Sequence, residues 1–188
     1  MDNKKKIYTL IVHTENIAGI LNQVTAVFTR RQVNIESLNV SASSIEGVHR
    51  YTITASTDQD TIERIVSQIE KKVDVLQCQY FTDNEIFMQE VALYKVTTQI
   101  LTDNPKLSET IRRYGANIIE VNSTFSVIEK TGQTDDIFAL NKELGETGGL
   151  LQFVSSGRVA ITRARIEHVS EYLEKFSRTY GGEPHSKC

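Results

Sequence analysis

The sequence predicts an α+β fold made of two βαββαβ units in tandem. Three observations carry that expectation. Short runs rich in β-branched residues alternate with segments whose apolar residues recur every three or four positions. The order of those elements repeats once along the chain. A short polar stretch, Thr82–Ile86 (TDNEI), separates the two runs as a hinge. The 188 residues accordingly divide into domains 1–82 and 83–188. Each is large enough to bury a core, yet marginal in stability without a partner.

In the first half, Ile7–His13 (IYTLIVH) is a buried strand. Asn16-Ile17-Ala18-Gly19 breaks it, and Ile20, Leu21, Val24, Val27 and Phe28 then form the apolar stripe of a helix. Arg30-Arg31 falls in its last turn, where cations suit the helix dipole. Asn34–Ser41 (NIESLNVS) alternates as a second strand, Glu46-Gly47 turns the chain, and His49–Ser56 is the third strand. Asp58 is placed to cap a helix carrying Ile62, Ile65, Val66 and Ile69. Lys71-Lys72 ends it, and Val73–Phe81 is the fourth strand. This order is the ferredoxin-like split unit.

The second half repeats the order. Phe87–Ile100 is a strand, and Asn104 caps a helix that starts at Pro105, carries Leu107 and Ile111, and ends at Arg112–Gly115. Asn117–Val121 and Thr124–Glu129 are strands. A helix opening at Thr134 or Asp135 carries Ile137, Leu140 and Leu144 and stops at Gly145; Leu150–Ser155 is the last strand. RRQVNIESL from Arg30 resembles RRYGANIIEV from Arg112, each closing a helix and opening a strand. This is the mark of a diverged internal repeat at an offset of about 82–83 residues. An extra helix, Ala164–Phe176, with Ile166, Val169, Tyr172, Leu173 and Phe176 on one face, follows the second unit.

Composition narrows the function classes. Hydrophobic residues make up 39% and charged residues 24%, as in a soluble globular protein. The net charge of −3 gives no basic footprint for nucleic acid or an anionic membrane surface. No stretch reaches the ~18 apolar residues of a membrane span. The apolar run after Lys4-Lys5-Lys6 stops at His13 with no cleavage site. Two cysteines, Cys78 and Cys188, form neither a disulfide framework nor a C-x-x-C motif, so a reducing, cytoplasmic setting is expected.

Motifs of catalysis are missing. The sequence has no G-x-S-x-G, H-E-x-x-H, Walker A or G-x-G-x-x-G pattern. Gly145-Glu146-Thr147-Gly148-Gly149 follows a helix and precedes a strand, the wrong order for a phosphate cradle. His13, His49, His168 and His185 have no metal-ligand spacing. The third strand offers Tyr51 alone, short of the aromatic pair with which such units stack RNA bases. No catalytic residue and no metal ligand is therefore assigned.

One loop does suggest binding. Asn16-Ile17-Ala18-Gly19 joins a strand to a helix, so the free N–H groups near Gly19, Ile20 and Leu21 point outward from a positive dipole end, a site suited to a carboxylate. Gly19 lets a ligand approach the backbone, and Asn16 has both a donor and an acceptor to offer. A tight turn without a ligand fits these residues equally well.

ENIAGILNQVTAVFTRRQVNIESLNV resembles the N-terminal regulatory (ACT) domain of acetolactate synthase (acetohydroxyacid synthase) small subunits. Their pattern E-N-x-x-G-x-L-x-[RQ]-[VI]-x-x-[VL]-F-x-[QR]-R-x-x-N-I-x-S-L is met from Glu15 through Leu38, and most specifically at Asn34-Ile35-Glu36-Ser37-Leu38. The likeness thins in the second half, where Ser155 stands at a position that many members fill with arginine.

The resemblance implies a non-catalytic subunit that binds a branched-chain amino acid, usually valine, and confers feedback inhibition on a separate catalytic subunit. Stimulation of that large subunit without effector is implied too. Thiamine diphosphate, FAD and magnesium belong to the catalytic partner. The effector residues carry over to Asn16, Gly19, Ile20 and Leu21 of one chain and Asn34 and Ile35 of a neighbour. A homodimer through the first domain follows, because pairing two open sheet edges about a two-fold axis removes both. An ACT-type sensor serving another enzyme, and a structural adaptor without effector, remain as alternatives.

Overall fold

The computed structural model describes residues 5–164. The expected helix beyond Ala164 lies outside the described residues. Those described fall into two compact units, one built on the first sheet and one, Met88–Ala160 together with Ser37–Asn39, on the second.

The first unit runs β1 (Lys6–Glu15), α1 (Ile20–Arg30), β2 (Ile35–Ala42), β3 (Val48–Thr57), α2 (Gln59–Glu70) and β4 (Val75–Phe81). Its antiparallel sheet has the order β2-β3-β1-β4. Leu10 lies opposite Ile53, and Val12 opposite both Tyr51 and Cys78. These side chains are buried together with Val24 and Phe28 of α1 and Ile62, Ile65 and Ile69 of α2. Each such burial contributes about 1.5–3 kcal/mol. Asp58 caps α2 as expected, its carboxylate accepting the Thr61 N–H at 2.9 Å. The stripe of α1 differs at one place: Leu21 is 39% exposed. The fourth strand also starts later than expected, because Val73 sits in the preceding turn, 96% exposed.

A 3₁₀ turn at Asp83–Glu85, closed by a capping box between Thr82 and Glu85, leads into the second unit. There the order is β5 (Ile86–Thr97), α3 (Thr98–Asp103), α4 (Pro105–Arg113), β6 (Asn117–Val121), β7 (Phe125–Gly132), α5 (Thr134–Glu146), β8 (Leu150–Ser155) and β9 (Val159–Thr162). The sheet order β6-β7-β5-β8 repeats the first topology. The core joins Tyr94 and Val96 to Leu107, Ile111, Ile128, Ile137 and Leu140, and the Tyr94 hydroxyl donates to the Ile137 carbonyl at 2.8 Å.

The structure of the second unit differs from the sequence-based expectation at three places. The strand from Phe87 does not reach Ile100: the Thr97 N–H donates to the Gly149 carbonyl at 2.9 Å, and the short helix α3 begins at Thr98. Gly145 does not stop α5, which continues to Glu146 before the chain turns at Gly148, φ +74°. β9 was not expected and pairs with β5 beyond β8.

The internal repeat extends to turn chemistry. α1 ends with Val33 N–H donating to the Phe28 carbonyl and Gln32 N–H to that of Thr29. α4 ends with Ala116 N–H donating to Ile111 and Gly115 N–H to Arg112. Both are Schellman motifs, whose turning residue must adopt the left-handed conformation. Gly115 (φ +60°) does so freely, whereas Gln32 (φ +54°) does so at a cost. The first strand of each sheet also shifts register at the corresponding point, His13/Thr14 in β1 and Lys95/Val96 in β5.

Candidate functional site

The loop between β1 and α1 is held by its backbone. Glu15 N–H donates to the Asp74 carbonyl and Asn16 N–H to that of Gly47, each at 3.0 Å. Ile17 N–H turns back to the Glu15 carbonyl, also at 3.0 Å. Gly19 then starts α1 with φ +91° and ψ −12° and provides no side-chain cap. Ile20 is buried beneath it and anchors the first turn.

This arrangement leaves the helix end bare. Ile20 N–H reaches the Ile17 carbonyl at 3.4 Å and Gln23 N–H the Gly19 carbonyl at 3.2 Å. The N–H groups of Gly19, Leu21 and Asn22 meet no acceptor among the described residues. No acidic residue lies in the first turn of α1. By contrast, Asp58 caps α2, Asn104 with Pro105 closes α4, and Asp135 and Asp136 offset the dipole of α5. Among the described helices of eight residues or more, α1 alone has neither a side-chain cap nor a first-turn acid. Its uncompensated dipole and free donors favour a carboxylate from elsewhere.

Apolar surface flanks those donors. Ile17 is 45% exposed, and Leu21 turns outward one helical turn later. Asn16 is exposed beside them. Polar donors and an aliphatic wall therefore meet on one loop, which suits a small molecule with a carboxylate and an apolar side chain.

Asn34 and Ile35 lie elsewhere. Asn34 is exposed after the turn that ends α1, and half-buried Ile35 opens β2. The 11 residues of α1 separate them from Gly19, a rise of about 16 Å at 1.5 Å per residue. One chain does not bring the six candidate residues together. It presents two groups: Asn16, Gly19, Ile20 and Leu21 at one end of α1, and Asn34 with Ile35 at the other, where the edge strand β2 begins.

No cluster of His, Cys, Asp or Glu with metal-binding geometry occurs among the described residues. Burial, then the nearby Glu70 charge, pushes the Cys78 thiol up, which disfavours the nucleophilic thiolate. Two open depressions, of about 620 Å³ between α4 and α5 and about 530 Å³ beside α2, are lined by charged side chains of both signs and by none of the candidate residues.

Sequence reasoning missed a buried charge pair in the second unit, Glu90 with Arg158. A signal was present. Glu90 shares the alternation of Ala92, Tyr94 and Val96, the core-facing register of β5, where a carboxylate requires buried partners.

Two successive βαββαβ units, the first with a bare helix start, define the class: an α+β protein of tandem ferredoxin-like units. Residues 10–77 match the family described as AHAS small subunit-like ACT domain. Residues 89–164 match the family described as small subunit of acetolactate synthase. The chain is 31% identical over 167 residues to the acetolactate synthase small subunit of Bacillus subtilis, covering 88% of this chain and 95% of that one. It is 32% identical to that of Mycobacterium bovis, covering 84% and 93%. The crystal structure of the small subunit from Thermotoga maritima superposes with a TM-score of 0.76 at 26% identity, covering 86% of this chain and 99% of that one. The chain belongs to the acetolactate synthase small-subunit family, whose members are regulatory partners of a catalytic subunit.

Proposed function

We propose that this chain senses a branched-chain amino acid, valine foremost, and conveys its level to the catalytic subunit of acetolactate synthase in the cytoplasm. Valine binds between two copies of the first unit. Its carboxylate meets the bare start of α1 at Gly19, Ile20 and Leu21, with Asn16 beside it. Asn34 and Ile35 of the second copy complete the site. The bare, glycine-initiated end of α1 carries this reading.

The separation of the two residue groups along α1 supports a site shared between chains. So does the edge position of β2, since an open edge is a natural place for a second copy to pair. A bound zwitterion needs partners for both charges, and two chains supply more of them than one. Valine inhibits by favouring one arrangement of the dimer over another, and only its difference in affinity shifts that balance, typically by about 1–3 kcal/mol. Without valine, the other arrangement stimulates the catalytic subunit. Thiamine diphosphate, FAD and magnesium are assigned to that partner.

Calorimetry of the purified chain with valine, leucine and isoleucine, paired with assay of the reconstituted enzyme, tests the proposal. Saturable binding of valine, and inhibition only when this chain is present, are expected. Absence of binding by all three amino acids would favour an adaptor without effector.

A further inference from the structure

Glu90 faces the core of the second unit, opposite Gly132 of β7, and is 5% exposed. Its Oε1 accepts from the hydroxyl of Thr134, the first residue of α5, and lies 3.7 Å from Arg158 Nε. Its Oε2 accepts from the Ser155 hydroxyl at 2.7 Å. Arg158, also 5% exposed, donates from Nε to Thr134 Oγ1 at 3.2 Å. One carboxylate thus gathers β5, the start of α5, the end of β8 and the corner that leads to β9.

A buried ion pair is a poor way to gain stability, because apolar side chains of similar volume often do as well or better. What it adds is direction, since a carboxylate that is already hydrogen-bonded accepts a guanidinium in few orientations. The corner at Ser156–Arg158 requires direction. Ser156 N–H donates to the Val91 carbonyl at 2.9 Å, but Val91 N–H finds the Ser156 hydroxyl, at 3.1 Å, in place of a carbonyl. Gly157 turns with φ +72°, its N–H donating to Ser155 Oγ at 3.2 Å. Serine hydroxyls therefore bridge a broken ladder, and the strand beyond it has only four residues.

We infer that the Glu90–Arg158 pair is a conformational lock on the corner between β8 and β9, which keeps β9 seated along β5 as a continuation of β8. With the lock closed, β9 opens only when the whole unit unfolds. With it broken, β9 opens ahead of the rest of the unit.

Native-state hydrogen exchange on the full chain reads this directly. In the unaltered protein, the hydrogen-bonded amides of β9 are expected to be protected to within about tenfold of those in β8. Exchange more than about 100-fold faster in β9 than in β8 overturns the inference without any variant. Glu90→Gln is expected to cost β9 at least about tenfold in protection beyond any loss in β7. The double variant Glu90→Leu/Arg158→Leu removes both charges of the pair together, so the unit is expected to fold while β9 loses protection relative to β8. A double variant that protects β9 as the parent does, or variants that lose protection equally throughout the unit, would show that the pair only fills space or adds general stability.

Discussion

Replacing Gly19 tests where the effector's carboxylate sits, once strain and charge are separated. At φ +91° any L side chain is strained, at a cost of about 1–2 kcal/mol. A Cβ there nevertheless meets nothing within 4 Å. Gly19→Ala therefore adds strain without filling space or adding charge. Gly19→Asp adds comparable strain and sets a carboxylate beside the free N–H groups of Leu21 and Asn22, where it also caps the helix itself. Two carboxylates about 4 Å apart repel by ~4 kcal/mol at an effective dielectric of about 20, before salt screening. A third of that is already about tenfold in Kd. In calorimetry, Gly19→Ala is expected to melt lower yet bind valine within about threefold of the parent. Gly19→Asp is expected to bind at least about tenfold more weakly, and to leave the reconstituted enzyme stimulated but insensitive to valine. A folded Gly19→Asp chain that binds valine as tightly as Gly19→Ala would refute the placement.

Three further outcomes are expected. The isolated chain should sediment as a dimer at micromolar concentration with and without valine; a monomer under both conditions contradicts pairing through the first unit. Gln32→Gly should stabilise the chain by about 0.5–1 kcal/mol, because relief of the left-handed strain exceeds the extra unfolded-state entropy of glycine; a lower urea midpoint would contradict this. The N–H of Thr61, and then its hydroxyl, hold the Asp58 carboxyl below its ordinary value. A folded pKa below the unfolded one gives stability that is present above the ordinary value of about 4 and lost as pH falls through the folded value. Asp58→Asn should therefore melt below the parent near about pH 7, and the gap should shrink near about pH 3; a constant gap contradicts the cap's charge dependence.

Local pattern made most elements legible. The stripes of α1, α2 and α5 and the caps at Asp58 and Asn104 lie where sequence reasoning places them, because both depend on residues a few positions apart. Long-range terms decided the rest. β-branched Val96-Thr97-Thr98 reads as continuing strand, yet Thr97 turns toward Gly149, and the Thr98 hydroxyl donates to the Asn122 carbonyl at 2.7 Å. β9 has only four residues after a glycine corner, and it pairs with β5, far away in sequence. Leu21 fits the helical period and still faces outward, because α1 has only begun there and the loop leaves that side open. At the candidate site, the strand–glycine–helix order was enough to suggest free donors at Gly19. Asn34 carries no such local signal: it follows a helix-ending turn, and only the match to the family pattern marked it.

The most direct test of a site shared between chains is to mix two impaired variants. Gly19→Asp damages the loop that one chain brings to each site, and Asn34→Ala the residue that the other chain brings. If each site takes Gly19 from one copy and Asn34 from its partner, a mixed dimer holds one doubly damaged site and one intact site. Unfolding the two variants together and refolding them should then restore parent-like affinity for valine to about a quarter of all sites, by random reassortment of a two-fold dimer. If a single chain forms the site, every site in the mixture keeps one defect and calorimetry finds no parent-like binding.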